Sequence, residues 1–380
     1  MDRIKKELEL LKQNGQLRTI PQINFKTDGT VNIDGKKYLN FASNDYLGIS
    51  TKSELRTQFL SKFSDKLLSS ASARLLSGTS SEFTELEKTI SNLFNKEACL
   101  IFNTGYQCNL GVLSALCSKG DVVFSDKLNH ASIIDGMRLA DGEFFRYKHL
   151  NYDDLENLLI KKRNSYSRAI IVSESVFSMD GDIADINRLT EIKNKYNCLL
   201  MIDEAHAFCA YGKDITGLSY NKDADIITAT FGKAVGSLGA FCVSNKLIID
   251  YLINKSRSFI FSTSIPPINI AWTNWLLNDK FNYIKEQRSK LADITEMAHK
   301  LLSDYNIITP SKTHIIPIVT GSNEVTNKVS EILKSKGFYI PAIRPPTVPI
   351  NTSRLRLSLT ADTKIDDFKQ VLDIVREFLP

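Results

Sequence analysis

The chain reads as an α/β protein: a mostly parallel sheet flanked by helices in a large domain, followed by a smaller α+β C-terminal domain. Three observations predict this. Short apolar runs recur from Ala98 onward, separated by gaps of roughly 10–25 residues that suit helices, the pattern of a buried parallel sheet. Two of these runs, Leu199–Ile202 and Ile226–Ala229, end in polar residues, Asp203 with His206 and Thr230 with Lys233, where open α/β sheets place their chemistry. Finally, Pro266-Pro267 stops the alternation and turns the chain into a long helix.

Taken in order, residues 1–16 predict a helix ended by Asn14-Gly15. Ile23–Phe25 and Val31–Ile33 are expected to pair across Asp28-Gly29, with Tyr38–Phe41 as a further strand. This arm, residues 1–42, is too small to stand alone and is expected to pack on another lobe or on a partner subunit. A helix is predicted near Ser53–Leu68, and another over Glu82–Phe94. Between them SSASARLLSGTS suits a plain surface loop, a close backbone approach around Arg74 and Gly78, or a flexible anion-binding loop. In the large domain, residues 43–275, strands are expected at Cys99–Phe102, Val122–Phe124, Glu143–Tyr147, Ala169–Ser173, Leu199–Ile202, Asp225–Ala229 and Ala240–Val243. The helix opening near Gly105-Tyr106, directly behind a strand, presents N–H groups suited to a phosphate. The last domain, residues 276–380, follows the helix that begins at Pro267. It is assigned strands His314–Val319, Phe338–Ile340 and Leu355–Leu359 and helices Val325–Lys336 and Lys364–Phe378. In the final helix Ile365, Phe368, Val371, Leu372 and Val375 form a core stripe.

Composition narrows the class. With 43% hydrophobic and 24% charged residues in 380, the chain has the balance of a folded protein and not of a disordered one. The net charge of +5 comes from dispersed lysines, so nucleic acid is not an expected partner. Six cysteines without a CxxC pair read as buried free thiols in a reducing, cytoplasmic setting. The opening MDRIKKELELLKQNGQL lacks the apolar centre of a secretory signal, and no apolar run reaches membrane-spanning length. No metal site is expected.

A strand-end carboxylate followed about thirty residues later by a lysine in a Gly-rich loop suggests a pyridoxal phosphate site. There an Asp keeps the ring nitrogen protonated and a Lys holds the aldehyde. Taken singly, Asp203 would pass for a helix cap and Lys233 for a surface lysine.

Eight segments carry a resemblance along nearly the whole chain: SNDYLG at 43–48, FNTGYQCN at 102–109, SDKLNHASIIDG at 125–136, ESVFSMDGD at 174–182, DEAHAFCAYG at 203–212, TATFGKAVGSLGA at 228–240, FIFSTSIPP at 259–267 and AIRPPTVPINTSRLRLSL at 342–359. Through them the chain resembles the α-oxoamine synthases, a branch of the fold-type I (aspartate aminotransferase-like) pyridoxal phosphate enzymes. The resemblance implies that Lys233 carries the cofactor and moves protons, that Asp203 pairs with its ring nitrogen, and that His206, assisted by Ser175, holds its phenolic oxygen. It places His130 on the ring face, Gly105, Tyr106 and Thr230 on the phosphate, and Thr263 on the phosphate of a neighbouring subunit, hence a homodimer with shared sites. Arg354 is implied to grip the amino acid's carboxylate, with Asn44 beside it and Arg18 as a further substrate contact. Arg356 is expected to face away from Arg354 and to be structural. AIRPPTVP is most similar to members that join L-alanine to a pimeloyl thioester, carried by CoA or an acyl carrier protein. Glycine with acetyl-CoA, another α-oxoamine synthase, and a fold-type I transaminase are the alternatives. The chain departs from the family at SSASAR, at Phe83 where a histidine is usual, and at Asn351 where a glycine is common.

Overall fold

The computed structural model describes residues 1–25 and 29–379. The chain forms two compact units, one of Met1–Ser53, Ser178–Asp182 and Ser289–Pro380, the other of Glu54–Phe177 and Ile183–Arg288. In chain order the strands are β1 (Asn24–Phe25), β2 (Thr30–Ile33), β3 (Lys36–Asn40), β4 (Ala98–Phe102), β5 (Asp121–Asp126), β6 (Glu143–Tyr147), β7 (Arg168–Glu174), β8 (Leu199–Asp203), β9 (Ile226–Thr230), β10 (Ala240–Ser244), β11 (Ile315–Gly321), β12 (Phe338–Tyr339), β13 (Ala342–Ile343) and β14 (Ser353–Ser358). Of the helices, α1 (Asp2–Gln13), α2 (Ser53–Phe63), α3 (Ser81–Phe94), α4 (Gly105–Leu116) and α5 (Ala131–Leu139) matter most below.

The second unit holds a seven-stranded sheet in the order β4-β10-β9-β8-β7-β5-β6. The strands from β9 through β6 run parallel, and β10 runs antiparallel to both β4 and β9. Their Val/Ile-rich sequences suit burial on both faces, and β5 and β10 are buried throughout. Register brings the strand ends together: Glu174 pairs with Asp203, Asp203 with Thr228, and Ala240 with both Thr230 and Phe102. Cys108, Val112, Leu113 and Leu116 of α4 and Ile133 and Met137 of α5 join the core under the sheet.

The segment after α2 shows why its residues are small. A Cβ at Gly78 would lie 2.5 Å from the Ser72 carbonyl oxygen, so a larger residue is excluded there. Close backbone approach is thus present, and Ala73 forms a β-bridge with Thr263. Helix α2 ends at Phe63 and not near Leu68, and the two residues that follow, Ser64 and Asp65, are weak helix formers.

In the first unit β1-β2-β3-β12 form one sheet and β11-β14-β13 another. The amino-terminal arm is therefore built into a sheet with β12, which pairs in parallel with β3. The β1–β2 pairing follows the expected register, with Asn24 opposite Asn32, while Asp28 of the expected turn lies outside the described residues. The stripe of the last helix is buried at Phe368, Val371, Leu372 and Val375, with Ile365 half-buried. Among the described residues no helix is long and apolar enough to cross a membrane, and no His/Cys/Asp/Glu group could hold a metal.

Candidate functional site

The carboxyl ends of β7, β8 and β9 bring Glu174, Asp203 and Thr230 to one edge of the sheet in the second unit. Past β9 the chain closes a tight loop: Phe231 N–H donates to Gly239 O at 2.8 Å and Gly236 N–H to Lys233 O at 2.9 Å. This loop directs Lys233 toward His206, with Nζ 2.8 Å from Nε2. A contact between two nitrogens needs one lone pair and one N–H, so both groups cannot hold their full complement of protons in this arrangement.

Asp203, buried at the end of β8, accepts from Asn109 Nδ2 at 2.6 Å and from the Ala205 N–H at 2.9 Å. His130 caps α5. Its Nδ1 receives the Ser132 N–H at 3.2 Å, and the His130 backbone N–H donates to Glu174 at 2.6 Å. Burial, reinforced by the charge of Lys233, lowers the His130 pKa, while Asp203 pulls it the other way. Burial, with the charge of Asp203, pushes Glu174 well above the ordinary carboxylate range.

Thr104 caps α4 by accepting from Gln107 N–H at 3.1 Å, and the N–H groups of Gly105 and Tyr106 stand at the start of that helix. A Cβ at Gly105 would lie 3.6 Å from Thr230 Cβ, so the helix start and Thr230 converge. The Thr230 hydroxyl donates to Gly239 O at 2.8 Å, so donation to a phosphate requires exchanging that bond. Ser175 directs its hydroxyl to Glu204. Thr263 is exposed, and its carbonyl accepts from Asn103 Nδ2 at 2.6 Å.

The first unit gathers the remaining residues. Arg354 pairs with Asp180, and its Nε donates to Thr352 O at 3.0 Å. Arg356 donates to the Ser178 carbonyl and, at 3.2 Å, to Asn44 Oδ1. Both arginines therefore reach residues 178–180, which corrects the expectation that Arg356 faces away. Side chains alternate along a strand, so residues two apart share a face. Arg18 donates to Thr347 Oγ1 at 3.0 Å. It lines a cleft of about 440 Å³ with Arg344, Lys334 and Glu331, and burial together with the Arg18 charge lowers the Arg344 pKa.

Sequence reasoning did not single out Asn109, Ser132, Glu174 or Glu204, although each lies in a segment quoted above. Their partners are distant in sequence; Asn109 and Asp203 are 94 residues apart, and neither residue type announces the pairing.

Comparison with known proteins shows the family. The family model described as aminotransferase class I and II matches residues 36–375. A Haemophilus influenzae protein named "Putative 8-amino-7-oxononanoate synthase" is 41% identical over 382 residues, covering 97% of this chain and 99% of its own. A serine palmitoyltransferase variant from S. paucimobilis with a bound PLP-myriocin aldimine gives a TM-score of 0.88 at 26% identity, covering 99% of this chain and 96% of that one. The crystal structure of an 8-amino-7-oxononanoate synthase from Francisella tularensis gives 0.75 at 25% identity, covering 90% and 97%. The residues present suit pyridoxal phosphate: an amine in Lys233, a buried carboxylate in Asp203, and a helix start beside a threonine hydroxyl.

Proposed function

We propose that this chain, which belongs to the aminotransferase class I and II family and within it to the α-oxoamine synthases, condenses L-alanine with a pimeloyl thioester. The products are 8-amino-7-oxononanoate, carbon dioxide and the released thiol, CoA or carrier protein, a step of biotin synthesis. The observation that carries this reading is the likeness, along 97% of the chain, to a relative bearing that enzyme's name.

Pyridoxal phosphate, the cofactor, supplies an electron sink for the bonds broken at the amino acid's α-carbon. Lys233 would hold it and, as a neutral amine, take the proton from that carbon. His206, 2.8 Å from that amine, would hold the cofactor's phenolic oxygen. Asp203 would face the ring nitrogen and His130 the ring. The phosphate would sit at Gly105 and Tyr106, with Thr230 and the partner's Thr263 adding hydroxyls, while Ser175 would assist His206 at the phenolic oxygen. Arg354 would orient the substrate carboxylate by a bidentate pair, aided by Asn44.

Arg18, Arg344 and Lys334 outnumber Glu331 in their cleft, a cationic surplus that suits an acyl donor bearing a free carboxylate. A homodimer is supported by exposed apolar side chains: Ile4, Leu8 and Leu11 on one face of α1, and Leu67, Leu68, Leu75, Leu76 and Phe261 on the segments joined by the Ala73–Thr263 bridge.

Free-thiol release from a panel of acyl-CoAs, with L-alanine or glycine as co-substrate, tests the reading. Release with alanine and pimeloyl-CoA is expected. Release with glycine and acetyl-CoA alone would assign a glycine C-acetyltransferase, and amino–keto exchange without thiol release a transaminase.

A further inference from the structure

Four side chains of the second unit meet in one buried line: Asp203 at the end of β8, Asn109 in α4, Ser132 in α5, and His130 at the start of α5. Asn109 is 2% exposed and Ser132 is fully enclosed. Within this line the hydrogen-bonding protons can be assigned. Asn109 Nδ2 stands 2.6 Å from Asp203 Oδ2 and 3.0 Å from Ser132 Oγ, and its Oδ1 accepts from the Thr228 hydroxyl at 2.8 Å. Turning the amide over would put two oxygens 2.6 Å apart, so the nitrogen faces Asp203.

Both amide protons are then engaged. Ser132 Oγ, having accepted one of them, has its own proton to give to His130 Nδ1, 2.8 Å away. The Ser132 N–H points at the same nitrogen from 3.2 Å. A ring nitrogen met by two donors must keep its lone pair, which leaves the imidazole proton on Nε2.

We propose that Asn109 and Ser132 are positioning residues that fix Asp203 as a charged acceptor and His130 as a neutral imidazole protonated on Nε2, and that one bridge ties the two settings together. The inference deepens the roles assigned above to Asp203 and His130 and rests on them. Its chemical sense is separation of duties. An imidazolium at His130 would compete with the cofactor's ring nitrogen for the negative charge of Asp203. Protonating Nδ1 would force the Ser132 hydroxyl to turn and oppose the Ser132 N–H. The Thr228 hydroxyl, on β9, holds the amide in the one orientation that serves both ends.

The test uses the full-length protein with ¹⁵N-labelled histidine, of which there are five, both as purified and after removal of pyridoxal phosphate. The bridge predicts one unprotonated and one protonated nitrogen for His130, with Nδ1 unprotonated, in both forms. Ser132→Ala is expected to give a mixture of tautomers at His130. Asn109→Asp places a second carboxylate against Asp203, where the two must share a proton, and is expected to weaken pyridoxal phosphate binding by about tenfold to a hundredfold. A merely structural Asn109 and Ser132 would leave the tautomer unchanged. Nδ1 protonation in the parent protein, a parent-like tautomer in Ser132→Ala, or undiminished cofactor affinity in Asn109→Asp would each overturn the proposal. Should a variant fail to fold, the parent spectrum alone decides. Failure of the parent to bind the cofactor would overturn the roles of Asp203 and His130, while the His130 spectrum would still judge the bridge.

Discussion

The guanidinium carbon of Arg74 lies 4.1 Å from the ring centroid of Phe83, and the same group reaches both carboxylate oxygens of Glu87, at 3.0 and 3.3 Å. Phe83, the departure from the family's histidine, thus serves as the platform on which the arginine lies. Glu87 also accepts the Ile101 N–H at 3.1 Å, so one ion pair connects the loop after α2 to α3 and β4. Through the Ala73–Thr263 bridge the same loop holds the turn that carries Thr263.

Arg74→Ala is therefore expected to destabilise the protein by roughly 2–4 kcal/mol, because it leaves the mostly buried Glu87 carboxylate without its counter-ion. Arg74→Lys should recover only part of this, since an ammonium cannot form the forked pair. Urea unfolding monitored by tryptophan fluorescence measures both; unchanged midpoints would refute the clamp.

The Lys66–Glu82 pair, at 2.6 Å, gives a pH dependence with a definite sign. The hydrogen bond from Lys66 lowers Glu82 to about 2. A carboxylate depressed on folding stabilises fully above its unfolded pKa and loses that contribution as pH falls through the folded one. The stability difference between the parent and Glu82→Gln should thus be constant from pH 7 to about 5 and shrink toward pH 2. Urea midpoints across that range provide the check.

All six thiols should be inert in the native state. Five cysteines are buried and Cys198 is half-buried, and burial raises Cys117 and Cys198 to about 11 and Cys209 and Cys242 still higher. At pH 8 a thiol reagent should modify none of them before unfolding and all of them after. A fast-reacting native thiol at Cys209 or Cys108 would contradict this.

Arg354→Lys should raise the KM for the amino acid about tenfold or more while the protein stays folded, because lysine can replace the charge facing Asp180 but not a planar, two-pronged donor. Steady-state kinetics on L-alanine at saturating acyl donor would show it. An unchanged KM would remove Arg354 from substrate binding.

Much of this was legible in the sequence, and the exceptions have physical causes. The strands at Leu199–Asp203 and Ile226–Thr230 were readable because buried parallel strands are continuous apolar runs closed by polar residues. The antiparallel course of β10 was not, since an apolar run carries no record of its direction. Lys233 and Asp203 stood out through residue type and position, whereas Asn109 and Ser132 are common polar residues whose meaning comes from partners far along the chain. Arg356 shares the face of Arg354, as residues two apart on a strand do, and its bonds go to Ser178 and Asn44.

The most direct test of the account is borohydride reduction of the purified protein, followed by peptide mass spectrometry. The account predicts a reduced pyridoxal phosphate adduct on the Lys233 amine and loss of the cofactor's visible absorbance. An adduct on a different lysine, or none on a protein that still turns over substrate, would contradict it.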